Sequence, residues 1–216
     1  MLVRERMTHN PITITPSTSV GDALRVMREK KIKRLPIMDS KGQLVGIVSE
    51  KDLLYASPSP VTSLNVWEIH ELLGKLVVEK VMTPRVITVG EEQPLEEAAR
   101  IMEDGRIGGL PVMRGKVLVG IITESDLFKS FLQFLGGRRP GVRVTATIPN
   151  AKGTLAKITN AIFGAGGDIV GLASIENPDP AIQEWEIAVK VQGVPQAKLV
   201  EVLRPVVRQI IDVRET

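Results

Sequence analysis

The sequence contains no cysteine and only two histidines, His9 and His70. Disulfides, thiolate catalysis and cysteine-based zinc or iron–sulfur sites are therefore excluded, and a histidine-rich metal site is not expected. Aromatic residues make up 3% of the chain, so stacking platforms for single-stranded nucleic acid are nearly absent. These shortages argue against a metal enzyme and against a nucleic-acid groove.

Long apolar runs are missing as well. No stretch approaches the roughly 20 apolar residues that a bilayer span requires, and the segment Met1–Met7 has no apolar core of signal-peptide length. With 43% apolar and 25% charged residues, the 216 residues have an ordinary soluble composition, sufficient for two or three small domains. We therefore expect a cytoplasmic protein without a membrane partner.

The chain does contain an internal repeat, and this repeat organises its first 135 residues. Three segments recur after 74 or 75 residues: Met7-Thr8 as Met82-Thr83, Leu35-Pro36 as Leu110-Pro111, and Gly46–Leu53 as Gly120–Leu127. Each copy predicts the order β-α-β-β-α, with an amphipathic helix followed by a two-stranded hairpin and a short helix. The copies are predicted over residues 1–56 and 81–135, with a linker helix over 57–80.

The strongest chemical signal lies where the hairpin of each copy turns into its last helix. Ser49 and Asp52 occupy this position in the first copy, and Thr123 and Asp126 occupy it in the second. Free backbone N–H groups at a helix start attract phosphate, and a carboxylate one turn later can accept hydrogen bonds from a ribose diol. The same spacing is also a capping box, which satisfies the backbone without any ligand. Both interpretations stay open at this point.

A glycine-rich boundary at Gly136–Gly141 precedes a different pattern. Residues 142–216 predict the order β-α-β-β-α-β, a ferredoxin-like plan. In its first helix Leu155, Ile158 and Ile162 are expected to face the core. Its third strand is expected to be half-buried, with Lys190 on the polar face.

On the repeated motifs, the first part resembles a tandem pair of CBS (cystathionine-β-synthase-type) domains, the Bateman module. The resemblance implies an α+β fold with a pseudo-two-fold axis and a cleft for AMP, ADP, ATP or S-adenosylmethionine. It implies ribose contacts from Asp52 and Asp126, phosphate contacts from Ser49 and Thr123, and a base held between the extended segments and the Leu-Pro pairs. The nucleotide-binding candidates are thus Thr8, Ile12, Arg34, Leu35, Pro36, Ser49, Asp52, Thr83, Ile87, Leu110, Pro111, Thr123 and Asp126.

The two copies differ in charge at one position. Arg34 precedes Leu35 in the first copy, whereas Gly109 stands at the corresponding place in the second. An arginine there adds positive charge near a phosphate. We therefore predict that the first motif favours phosphorylated ligands more than the second.

The C-terminal part, over Val142 to Arg214, resembles an ACT domain. That resemblance implies an amino-acid site in the first strand–helix loop, with the candidates Asn150, Lys152, Gly153 and Thr154. The loop departs from the family pattern, because Asn150 replaces an acidic residue and Lys152 replaces a proline. An amino-acid site and a purely dimerising role are both open. The whole order resembles AcuB-type acetoin-utilisation proteins.

Taken with the missing catalytic motifs, the pattern favours a non-catalytic regulatory sensor. The chain has no P-loop, no nucleophile elbow and no Rossmann glycine triplet, and identical duplicated sites suit binding better than catalysis, which needs differentiated groups. We expect a homodimer that takes an adenosine nucleotide as regulatory ligand, needs no cofactor and acts on a regulated protein that the sequence does not identify. The alternatives are a dimerising scaffold with vestigial sites and, ranked last, an enzyme.

Overall fold

The computed structural model describes residues 1–57, 73–179 and 183–216. These residues form two compact units, Met1–Leu127 and Phe128–Thr216. The linker helix expected over 57–80 falls largely on residues outside the described ranges, although Leu73–Lys75 is helical. No helix in the described part is long and apolar enough to cross a bilayer.

The first unit contains the first sequence repeat and the second repeat as far as Leu127. After β1 (Thr8–His9), the first copy contributes, in chain order, α1 (Val20–Lys30), β2 (Arg34–Met38), β3 (Leu44–Ser49) and α2 (Glu50–Tyr55). The second copy contributes β4 (Val89–Gly90), α3 (Leu95–Gly105), β5 (Gly109–Arg114), β6 (Val117–Thr123) and α4 (Glu124–Phe134). The expected hairpin and the two helices of each copy are therefore confirmed.

The equivalent helices α1 and α3 of the two copies end in the same unusual way. Lys31 and Arg106, 75 residues apart in sequence, cap α1 and α3 in the left-handed region, with φ of 54° and 49°. Glycine is the usual residue at such a position because it has no Cβ. At the other end of α1, the Ser19 hydroxyl accepts a hydrogen bond from the Asp22 backbone N–H at 3.0 Å, so Ser19 is the N-cap of this helix.

Each copy completes its fold with the first segment of the other copy. β1, at the start of the first copy, pairs antiparallel with β6 of the second, with Thr8 opposite Ile121. Reciprocally, Thr83, at the start of the second copy, forms an antiparallel bridge with Ile47 of the first. The side chain of Met82 occupies the space that a Cβ on Gly46 would need. The two copies are consequently interlocked rather than consecutive.

Two apolar clusters fill the first unit, one in each copy. Leu35 and Leu110 are the pseudo-equivalent centres of these clusters, and both side chains have 0% exposure. Complete burial of a leucine stabilises a fold by about 1.5–3 kcal/mol relative to exposure. These two residues thus serve the cores of the copies.

The second unit has the order β-α-β-β-α-β that the sequence predicts. Its elements are β7 (Val142–Pro149), α5 (Thr154–Gly164), β8 (Asp168–Glu176), β9 (Glu184–Gln192), α6 (Gln196–Leu203) and β10 (Gln209–Glu215). The strands form one sheet in the order β10-β7-β9-β8, with antiparallel neighbours throughout. Its core includes Ile158, Ile162 and Leu199, which are fully buried.

Two expectations for this unit need correction. Leu155 does not join the core but is 39% exposed, because α5 buries the face through Thr154, Ile158 and Ile162 instead. Lys190 was expected on a polar face, yet it is only 5% exposed. Its Nζ donates to the Gly136 carbonyl at 3.1 Å. The backbone at Gly136, which precedes β7 in the chain, therefore covers Lys190 on this face of the sheet.

Candidate functional site

A cavity of about 540 Å³ opens in the first unit, between residues of both copies. This volume lies in the range of pockets that hold a small-molecule ligand. Its lining residues are Lys33, Arg34, Ile47, Ser49, Glu50, Lys51, Asp52, Thr83, Arg85, Val86, Ile87, Arg106, Ile107, Gly108, Gly109 and Pro111. The interlocked topology explains why residues distant in sequence meet here.

The motif of the first copy stands at this cavity with its hydrogen bonds formed. Asp52 Oδ2 accepts from the backbone N–H of Ser49 at 2.8 Å and from its hydroxyl at 2.7 Å. The Asp52 backbone N–H in turn donates to the Ser49 hydroxyl at 3.2 Å. The capping box therefore exists, and it engages a single oxygen of the carboxylate.

The second motif repeats part of this geometry. Asp126 Oδ2 accepts from the Thr123 backbone N–H at 3.1 Å and from the Thr123 hydroxyl at 2.8 Å. Neither residue lines the 540 Å³ cavity. The duplicated motif thus caps a helix in both copies, while only the first copy's motif belongs to this cavity.

One wall of the cavity is apolar and comes from the second copy. Ile87 projects there with 50% of its surface exposed, beside Val86, Ile107 and Pro111. An isoleucine that exposed in the free protein gains by covering a flat apolar group. This wall is suited to an aromatic base.

The rest of the lining is strongly basic. Five cationic side chains line the cavity against only two carboxylates, Glu50 and Asp52. The cations are Lys33, Arg34, Lys51, Arg85 and Arg106. Such an excess in a concave site raises the local concentration of anions. Because α2 has only six residues, its dipole is short, and charge on a bound anion must be met mainly by these side chains.

Arg34 reaches from the first copy onto the second. Its Cδ lies 3.1 Å from the point where a Cβ on Gly109 would stand. Its Nη2, together with Glu124 Oε2, crowds the corresponding point on Gly108. The arginine therefore lies over both glycines and ends beside the Glu124 carboxylate.

The thirteen nucleotide-binding candidates from the sequence separate into three groups. The cavity brings together Arg34, Ser49, Asp52, Thr83, Ile87 and Pro111. Leu35, Pro36 and Leu110 are buried in the copies. The remaining four, which lie outside this lining, are Thr8, Ile12, Thr123 and Asp126.

Three further basic residues were not singled out by sequence reasoning. Lys51, Arg85 and Arg106 line the cavity. Lys51 lies within the repeated segment Gly46–Leu53, where its counterpart is Ser125, whereas Arg85 and Arg106 belong to no repeated motif. Lys33 directly precedes Arg34, which is one of the candidates. Arg85 follows Thr83 by two residues, so its proximity to the repeated Met-Thr pair was the available signal. No sequence signal pointed to Arg106. It lies at the cavity because it caps the C-terminal end of α3.

The loop candidates of the second unit lie at the start of α5. Gly153 has a φ of 83° and precedes the helix, while Thr154 is buried and its hydroxyl donates to the Ala151 carbonyl at 2.9 Å. The Asn150 backbone N–H donates to Gln183 at 3.0 Å, and Lys152 is exposed. Within the described ranges, no group of three or more histidines and carboxylates is arranged to hold a metal ion.

Comparison with known proteins finds two matching domains at the positions of the two sequence copies. Residues 3–59 and 78–133 match the CBS domain family. A solved structure assigned to acetoin utilization (AcuB) from Vibrio cholerae is 34% identical, covers 61% of this chain and 90% of its own, and has a TM-score of 0.51.

Two similar structures were solved with ligands. The protein CBSX2 in complex with AMP is 37% identical, with a TM-score of 0.50 over 61% of this chain and 96% of its own. The CBS domain pair of protein MJ0100, in complex with 5′-methylthioadenosine and S-adenosyl-L-methionine, is 30% identical, with a TM-score of 0.52 over 64% of this chain and 98% of its own.

Proposed function

This chain belongs to the CBS domain family, and we propose that it is a regulatory sensor that binds an adenosine nucleotide in the 540 Å³ cavity. The observation that carries the proposal is the composition of that cavity. Asp52 on one side can bind a ribose, the exposed Ile87 on another side can contact a base, and the five cations can bind phosphates. Complexes of similar proteins with AMP and with S-adenosylmethionine support an adenosine ligand.

Within that ligand class, charge favours nucleotides. S-adenosylmethionine carries a sulfonium and an ammonium group, whereas AMP, ADP and ATP carry increasing negative charge. Like charges at a concave site oppose binding, and opposite charges favour it. We expect ATP and ADP to bind most tightly, and S-adenosylmethionine to bind most weakly.

The capping box and the ligand site are compatible at Asp52. Oδ2 is used by Ser49, and Oδ1 accepts the ribose hydroxyls. Asp52→Asn separates the two roles, because an asparagine oxygen still accepts the capping bonds while its amide NH₂ cannot accept from a diol. Asp126→Asn is the matched change in the second copy.

Thermal shift with adenosine, AMP, ADP, ATP and S-adenosylmethionine tests the proposal. At a ligand concentration of one hundred times the dissociation constant, binding stabilises the folded state by about 2.7 kcal/mol. We expect ATP to raise the melting temperature of the wild type and of Asp126→Asn, and to lose most of its effect on Asp52→Asn. No shift with any of the five compounds would move the assignment to a scaffold.

Regulation would follow from a shift between two arrangements of the copies. A ligand changes such an equilibrium only if it binds the two arrangements differently. The cavity meets this condition, because its cations come from both copies and approach one another only when the copies are close. Like-charge repulsion opposes closure of the free cavity, and phosphates relieve it. The regulated protein recognises which of the two arrangements the copies adopt. The chain itself catalyses no reaction.

For the second unit we propose an ACT-like role. The strand order β10-β7-β9-β8 and the glycine at the start of α5 support it. An amino acid would bind at Asn150–Thr154, where a melting shift with free amino acids in wild type but not in Asn150→Ala would support the site. Coupling to the cavity would appear as a change of ATP affinity when the amino acid is present.

We also propose that the chain forms a homodimer. All four phenylalanines of the sequence are exposed, by 46% to 79%: Phe128, Phe131, Phe134 and Phe163. Large exposed apolar patches on soluble proteins mark interaction surfaces. Light scattering should give twice the chain mass, and a monomer at micromolar concentration would reject this part of the proposal.

A further inference from the structure

The second unit has a cavity of its own, of about 380 Å³, where α6 ends and β10 begins. Its volume lies in the lower part of the range for small-molecule pockets. None of the residues Asn150–Thr154 lines it, so it is separate from the loop with the proposed amino-acid site. Six residues form its lining: Val200, Arg204, Val207, Arg208, Gln209 and Ile210.

Backbone contacts place two arginines at this cavity. Arg204 is the C-cap residue of α6, and its N–H donates to the Val200 carbonyl, so both residues lie on one face of the helix. The Arg208 backbone N–H donates to the Thr147 carbonyl at 2.8 Å, which ties the residue before β10 to β7. The two guanidinium groups therefore reach the cavity from two different elements.

One part of the lining is aliphatic. Val200, Val207 and Ile210 are half-buried, and Val207 and Ile210 pack against the core of the second unit. Because core packing holds these side chains without a ligand, the apolar surface is already formed. Such a surface gains by covering an apolar part of a ligand.

The charged part of the lining is purely cationic. In the part of the chain that the structure describes, the Arg204 guanidinium has no ion pair and no hydrogen bond. Nε of Arg208 lies 3.9 Å from Oε1 of Glu184, which is too far for a hydrogen bond. None of the six lining residues is acidic. Both guanidinium groups thus have donors available for an anion.

We propose that this cavity binds a small carboxylate that has a short aliphatic chain and no amino group. The planar fork of a guanidinium matches the two oxygens of a carboxylate, and the aliphatic part of the lining covers the chain. An ammonium group would add a third positive charge beside Arg204 and Arg208, with no acidic lining residue to bind it. The site is independent of the nucleotide cavity and goes beyond the proposed function.

Nuclear magnetic resonance titration of the isotope-labelled full chain with isovalerate tests the proposal. Three analogues each change one feature: isovaleramide lacks the charge, acetate lacks the branched chain, and valine adds an amino group. Isovalerate should bind most tightly and should shift the Nε–H signals of Arg204 and Arg208. A buried CH₂ group strengthens binding about fourfold, so isovalerate should bind at least about tenfold more tightly than acetate.

Variants locate the site. Arg204→Gln and Arg208→Gln should each weaken isovalerate about three- to fivefold, the effect of one exposed charge pair. Lys198→Gln is the matched control, because it removes a cation of α6 that pairs with Glu201 outside the cavity. It should leave the affinity unchanged, and so should Asn150→Ala. Circular dichroism and the melting temperature establish that each variant is folded.

Four results would overturn the inference. They are the absence of isovalerate binding, equal affinities for isovalerate and isovaleramide, equal affinities for isovalerate and valine, and wild-type affinity in both arginine variants. Loss of isovalerate binding in Asn150→Ala alone would assign the ligand to the loop instead. None of these results bears on ATP, whose binding is measured separately, so the nucleotide sensor and this site succeed or fail independently.

Discussion

Arg106 and Lys31 provide a matched pair of substitutions that separates ligand binding from folding. Both residues cap a helix with a positive φ, 49° for Arg106 and 54° for Lys31, and both are exposed. Only Arg106 lines the cavity. Arg106→Gly and Lys31→Gly therefore make the same backbone change at pseudo-equivalent positions, while only the first removes a cation from the proposed site.

The expected magnitudes follow from these positions. The left-handed conformation costs a residue with a Cβ about 1–2 kcal/mol, and glycine gives back about 0.4–1 kcal/mol through the entropy of the unfolded chain. Both variants should thus be as stable as the wild type or slightly more stable. An exposed cation about 4 Å from a phosphate charge contributes about 1 kcal/mol in water, so Arg106→Gly should weaken ATP about fivefold.

Urea unfolding and ATP titration at low and moderate salt are the appropriate assays. Lys31→Gly should keep the wild-type ATP affinity, and the loss in Arg106→Gly should shrink as salt screens the charge. Adenosine should bind both variants like the wild type. Equal ATP affinities of Arg106→Gly and Lys31→Gly would refute the assignment of a phosphate to this wall.

Three other perturbations probe the fold. Leu110→Ala should lower the free energy of unfolding by about 2–5 kcal/mol, since it empties a fully buried core position, and a loss below about 1 kcal/mol in urea would contradict its burial. Arg114 holds the pKa of the Glu91 carboxyl below its ordinary value, chiefly by a side-chain hydrogen bond, so Glu91→Gln should lower the melting temperature at pH 7. That difference should disappear as the pH falls through the pKa of Glu91 in the folded protein, because the contribution of a depressed carboxyl exists only while it is ionised; a pH-independent difference would speak against the ion pair. Gly171→Val should destabilise the second unit, because a Cβ there collides with the Leu135 backbone, and an unchanged melting profile would count against that contact.

The local structure of the repeats was predictable because periodicity and capping are local signals. The hairpins, the helix starts at Ser19 and Ser49, and the buried face of α1 all follow from neighbouring residues. The reciprocal pairing of Thr8 with Ile121 and of Thr83 with Ile47 did not follow. A two-residue strand carries no pattern that names its partner, and the partner is decided by tertiary packing.

The candidate site was predictable where a residue belongs to a repeated motif. Ser49, Asp52 and Thr83, three of the candidates, line one cavity, although the sequence did not predict that Thr83 of the second copy lies at the same cavity as the first copy's motif. Arg85 and Arg106 could not be found in this way. The counterpart of Arg85 is the uncharged Asn10, and the counterpart of Arg106, Lys31, does not line the cavity. Leu35 shows the opposite case: it belongs to a repeated motif, yet its side chain is needed for the core.

The second unit shows how tertiary contacts override a sequence pattern. Alternation along β9 correctly predicted the burial of Ile187, Val189 and Val191. It also predicted an exposed Lys190, which fails because the Gly136 carbonyl covers and binds that ammonium group. Gly171 on the neighbouring strand lets the Leu135–Gly136 backbone approach the sheet, a contact that neither strand pattern contains.

A crystal structure of the chain grown with ATP would test the central claim most directly. The account predicts one ATP in the cavity, with its ribose hydroxyls on Asp52 Oδ1, its base against Ile87 and its phosphates among Arg34 and the other cations. ATP bound elsewhere, or a cavity that stays empty at saturating ATP, would contradict it.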